Sequence, residues 1–181
     1  MNDPQETHFD FKKITFASWQ IPDTTTELWR TITAAAKTNE EWVEFFLSPK
    51  LDPKVPAELA KLLEVARASM IYSWYFYPLA TLGAQQCYRV LETGVRLRCE
   101  WPDVKTNSSP KKGNRRRANF KMNVDSLLEC GVVSKAHESR WNAARDLRNM
   151  SSHLSRQEIC DPGMAFQTLS LVVTNLNDLF R

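Results

Sequence analysis

Apolar residues return at every third or fourth position through most of this chain, the spacing that places them on one face of an α-helix. Leu59, Leu62, Leu63, Ala66 and Met70 form one such stripe, behind Pro56, whose fixed φ suits the first turn of a helix. Leu82, Cys87, Val90, Leu91, Val95 and Leu97 form a second, with Gln85, Arg89, Glu92 and Arg96 interleaved. Phe166, Leu169, Val172, Val173, Leu176 and Leu179 form a third, opened by Asp161 and Pro162. The pattern is helical from 56 to about 99, except that Pro78 must kink or split the run near Tyr77, because proline lacks the N–H and clashes with the preceding turn.

Shorter elements fill the gaps. A helix is predicted over about 24–37, opened by a run of threonines and Glu27. Asn39 is expected to cap a second one carrying Trp42, Phe45 and Phe46, broken by Pro49 and Pro53. A short helix is predicted over 125–130, closed by Gly131, and Ser134 is placed to cap a helix running to about 150. In that last helix Ala136, Ala143, Leu147 and Met150 are expected on one face, and Glu138, Asn142, Arg145 and Asn149 on another. Residues 1–22 fit neither the helical nor the strand period, and Phe9, Phe11, Ile14, Phe16 and Trp19 are available to dock this arm on the body. The expectation is an all-α fold, an up-and-down bundle of four to five main helices over 56–181, preceded by an N-terminal extension over 1–55 with one or two short helices.

Composition agrees with that expectation: 43% of residues are hydrophobic, enough for a core, and only five are glycine. The greasiest stretch, 70–82, reads as a buried central helix and is too short to cross a bilayer, which takes about 20 apolar residues. No membrane partner is expected. Cys87, Cys99, Cys130 and Cys160 have no metal-ligand spacing, so no metal or other cofactor is implied, and they read as reduced thiols of a cytoplasmic protein.

Charge changes the picture more. The net charge of +3 conceals a basic linker over 101–119. Within 102–121, Lys105, Lys111, Lys112, Arg115, Arg116, Arg117 and Lys121 face one acid, Asp103, an excess of +6 that leaves the remainder of the chain at −3. Lys111, Lys112, Arg115, Arg116 and Arg117 have the density needed to contact the phosphates of RNA; a solvated loop is the alternative reading of the same run.

Candidate chemistry concentrates in Arg148, Asn149, Met150, Ser151, Ser152 and His153. RNA carries its own nucleophile, the 2′-hydroxyl beside each phosphate. A site that cleaves it needs proton transfer, which an imidazole performs near neutrality, and a cation for the charge that develops on the phosphoryl oxygens, which a guanidinium supplies. His153 and Arg148 are those groups, with Asn149 able to orient either one, and Arg145 and Ser152 as supporting residues. Five residues on an ideal helix separate the pair by about 140°, so either the helix ends between them or two subunits combine their groups. Glu92 is placed on a helix that would face the motif and could pair with Arg148 or tune His153; an ordinary surface glutamate is the alternative reading. The structural alternative is that Arg148 and His153 only finish a helix, where cations suit the dipole. Trp141, two turns earlier on a similar face, could pack beneath the stem of Arg148 or equally in the core.

The segment Val124 to Val133, with its Gly131 break, followed by Ala144, Arg145, Asp146, Leu147, Arg148, Asn149, Met150, Ser151, Ser152 and His153, resembles the C-terminal half of HEPN domains. The run from Ala84 to Glu92 is similar to their long second helix, and the resemblance covers about residues 60–181. It implies an all-α domain and a metal-independent endoribonuclease of toxin or antiphage-defence context. Such a protein works as a homodimer with two Arg-x4-6-His motifs in one cleft, and an antitoxin or a nucleotidyltransferase-like protein can be its partner. Carried over by residue, the catalytic groups are Arg148, Asn149 and His153. The same resemblance also admits a non-catalytic helical module that binds RNA, a nucleotide or a partner protein.

Overall fold

The computed structural model describes residues 12–34, 36–104, 119–151 and 160–181, with only the backbone of Met150 and Ser151. It is all-helical, with seven α-helices and no strand among the described residues. Two lie in the N-terminal third, α1 (Thr24–Thr33) and α2 (Asn39–Leu47). Five follow: α3 (Ala57–Tyr72), α4 (Leu79–Cys99), α5 (Phe120–Glu129), α6 (Glu138–Ser151) and α7 (Pro162–Leu179).

The helix ends follow from capping chemistry. Asp23, Thr38, Asn119 and Asp161 each accept a hydrogen bond from a backbone N–H in the first turn of α1, α2, α5 and α7. Thr38 takes the place expected for Asn39, which is already helical. α1 stops at Thr33 and not at 37, because Ala34 turns left-handed at φ 50°. α5 begins five residues ahead of the sequence-based expectation, where the Asn119 side chain meets the Met122 N–H at 3.0 Å. Gly131, at φ 73°, occupies the left-handed position after α5 that a Cβ would strain. The greasy stretch 70–82 is not one helix. Pro78 separates α3 from α4, and the intervening turn buries Ser73 and Trp74 while Tyr72 faces solvent.

One core joins these helices. α3 and α4 pack along their length, and α7 packs against α4. Leu59, Leu63, Ala66 and Met70 of α3 meet Cys87, Val90, Leu91 and Val95 of α4 and Leu169, Val172, Leu176 and Leu179 of α7. α2 belongs to the same core: Trp42 and Phe46 are fully buried, Phe45 stacks on Phe166 with ring centroids 4.0 Å apart, and the Trp42 Nε1 donates to the Ile71 carbonyl at 2.9 Å. The buried guanidinium of Arg67 secures the chain after α2 by donating to the carbonyls of Phe46 at 3.1 Å and Pro49 at 2.8 Å.

The arm before α1 attaches by polar bonds, and the described aromatics expected to dock it do not. Lys12 donates to the Tyr75 carbonyl at 3.0 Å and Asp23 accepts from the Tyr77 N–H at 2.9 Å, while within α1 Thr26 donates to the Ser73 carbonyl at 2.8 Å. Phe16 is 97% exposed, and Ile14, Trp19, Ile21, Leu28 and Ile32 are also exposed. Phe9 and Phe11 lie outside the described residues. No helix among the described residues is long and apolar enough to cross a membrane.

Candidate functional site

α6 is the helix that carries the candidate chemistry, and it is the least greasy of the long helices. Among its described side chains only Trp141 and Ala144 are buried. The face expected to be apolar is misplaced: Ala143 and Leu147 are exposed, and the buried stripe runs through Trp141 and Ala144. A single tryptophan outweighs a row of alanines in apolar area, so it sets the rotation of the helix. Arg145 and Arg148 continue that stripe at four and seven residues from Trp141, which carries both guanidinium stems to the edge of the packed surface.

Arg148 sits in the last turn of α6 and reaches α4. Its Nη2 donates to Glu92 Oε2 at 2.7 Å, and its Nη1 lies 3.3 Å from the side-chain oxygen of the adjacent Asn149. The two partners of the ion pair are about one-third and one-half open, at 32% and 44% side-chain exposure. Water therefore screens the pair, and it is worth about 0–1 kcal/mol. Arg145 does not join it; its guanidinium bonds the neighbouring Asp146 at 3.1 Å. Ser152 and His153 lie outside the described residues, as do Lys111, Lys112, Arg115, Arg116 and Arg117 of the basic linker. The geometry thus unites Arg148, Asn149 and Glu92.

The start of α6 holds a second polar cluster that the sequence reading passed over. Asp178 of α7, its side chain only 5% exposed, gathers two arginines and a histidine. His137 Nδ1 is 2.5 Å from Oδ2, Arg140 bonds the same oxygen, and Arg181 Nη2 is 2.9 Å from Oδ1. Arg140 also donates from Nε to the side-chain oxygen of the fully buried Asn175 at 2.6 Å. A signal was present: Asn175 and Asp178, three apart, are polar residues inside the apolar stripe of α7, and buried polar groups require partners. Nearby, Arg98 forms a two-pronged bond to Asp103 at 2.8 and 2.7 Å and donates to the Leu179 carbonyl at 3.2 Å. The bond from Arg98 holds the Asp103 carboxyl below its ordinary range. Arg98, Asp103, Cys130, Asp178 and Arg181 line a shallow depression there.

Cys87, Cys99 and Cys160 take no part in either cluster as ionised groups. Burial pushes Cys87 and Cys160 up to about 12 and Cys99 up to about 11, so all three are protonated near neutrality. Among the described residues no group of His, Cys, Asp and Glu is arranged to hold a metal ion. No protein-family profile, curated protein or solved structure matches this chain.

Proposed function

We propose that this protein is a metal-independent endoribonuclease of HEPN type, acting as a homodimer in a toxin or antiphage-defence setting. The observation that carries the reading is the position of Arg148, in the final turn of α6, partly open to solvent and steadied by the half-open carboxylate of Glu92, five residues ahead of His153 in the sequence. In the proposed reaction the 2′-oxygen of RNA forms a bond to phosphorus and the bond from phosphorus to the 5′-oxygen breaks. His153 takes the proton from the 2′-hydroxyl or delivers one to the departing 5′-oxygen, and the second subunit's His153 performs the complementary transfer. Arg148 stabilises the charge that builds on the phosphoryl oxygens. Because the Glu92 pair is screened, a phosphate can take over Arg148 at small cost. Lys111, Lys112, Arg115, Arg116 and Arg117 draw the strand in by phosphate contacts.

The test is cleavage of single-stranded RNA by the purified protein in EDTA. Activity is expected with the chelator present and is expected to vanish in Arg148→Ala and in His153→Ala, each verified as folded by circular dichroism. Persistent cleavage by either folded variant removes the site assignment. A second reading, a non-catalytic module that binds RNA or a protein, is favoured by the exposed apolar side chains from Ile14 to Ile32. Retained binding with no cleavage of any RNA supports that reading.

A further inference from the structure

The Asp178 cluster bears on where Arg148 sits. α6 buries only Trp141 and Ala144 among its described side chains, so apolar packing alone leaves its tilt weakly determined. Polar ties hold it at both ends. At the start, Arg140 grips Asn175 and Asp178 of α7 at once, and His137 grips the same Asp178 from the turn just before the helix. At the end, Arg148 meets Glu92 of α4. The two ties differ in kind. Asp178 and Asn175 are buried, and a guanidinium held by two fixed acceptors has one orientation, whereas the Glu92 pair is open to water.

Arg140 and Arg148 are eight residues apart, about 12 Å along a helix. A tilt of about 10° about Arg140 moves Arg148 by roughly 2 Å, and a misplacement of about 1 Å can cost about a hundredfold in rate where geometry matters. We propose that Asp178 is a positioning residue for Arg148, fixing the start of α6 on α7 through Arg140 and His137 so that the far end presents Arg148 beside Glu92. The catalytic consequence rests on the ribonuclease reading above; the positioning does not.

The experiment observes Arg148 directly. In protein with 15N-labelled arginine, the Nε–Hε signal of Arg148 is assigned by its loss in Arg148→Lys, then followed in Asp178→Asn and Arg140→Gln. Arg140→Gln is the safer variant, since Asp178 keeps His137 and Arg181 as partners and its charge stays neutralised. The expected result is a shifted Arg148 signal with at least severalfold faster hydrogen exchange in each variant that folds, although neither altered residue touches Arg148. If Asp178→Asn does not fold, Arg140→Gln decides alone. An unmoved Arg148 signal in folded Arg140→Gln overturns the proposal, even if the variant melts earlier, since a purely structural tie would change the melting point only. Where the parent protein cuts RNA, Arg140→Gln is expected to lower kcat at least tenfold with KM changed less than twofold. If it cuts none, the ribonuclease reading falls and the spectrum still decides the positioning.

Discussion

Gly83 shows what a single missing side chain does in this protein. A Cβ there would sit 2.6 Å from Met70 Cγ and 2.8 Å from the Ala66 carbonyl oxygen, and the second of these is backbone that cannot step aside. Gly83→Ala is therefore expected to destabilise by about 1–3 kcal/mol, as other overpacked cores do. At about 2–4 °C per kcal/mol the melting temperature should drop visibly. Gly94→Ala is the control: its nearest contact, 2.7 Å, is a Leu176 methyl at the end of a flexible side chain, and a smaller loss is expected. Equal melting temperatures for the two variants would contradict the packing argument. The thiols give a pH dependence at the same scale. Cys87 is pushed from 9.0 to about 12 by burial, so above pH 9 the unfolded chain loses a proton that the folded one keeps. Stability must then decline as pH rises from 9 toward 12, and burial of Tyr77, from 10.0 to about 12, adds to the decline. The urea midpoint is expected to be lower at about pH 10.5 than at neutrality, and the drop is expected to shrink in Cys87→Ala. A midpoint indifferent to pH over that interval would refute it.

At the scale of the helix, legibility depended on whether one residue or many set the outcome. The start and the apolar face of α7 could be read directly, because Asp161 caps it, Pro162 opens it and a regular apolar stripe follows. Asp161→Ala is expected to cost about 1 kcal/mol, and Asp161→Asn, which keeps an acceptor for the Met164 N–H, much less. Thermal melts of the two variants check this, and equal losses would show that the cap is not what matters. The split of the long hydrophobic run was equally readable from Pro78. α6 was not. Its alanines suggested one face, and the rotation was decided by where Trp141 found space, a fact that depends on α4, α5 and α7 together. The first turn of α5 is hidden in the sequence because Asn119 ends the basic linker, where its capping role is invisible until the helix behind it is known.

For the molecule as a whole, the all-α class was legible from periodicity, since three strong stripes have few other ways to bury themselves. The pairing of Glu92 with Arg148 was within reach of a helix-face argument, because α4 is long and regular. The Asp178 cluster was legible only in part: polar residues in the stripe of α7 called for partners and Arg181 is a local i,i+3 neighbour, but no local pattern predicts that His137 and Arg140, the latter 38 residues earlier, supply the rest. Nor did the sequence reveal that Ile14, Phe16, Trp19, Ile21, Leu28 and Ile32 would face outward while Trp29 packs against the core and Asp23 and Thr26 bond the body. That arrangement has a practical outcome for anyone who handles the protein. An outer surface so rich in hydrocarbon should salt out early in ammonium sulfate and cling to phenyl resin, and Phe16→Ser with Ile32→Ser should elute markedly sooner while melting at the same temperature.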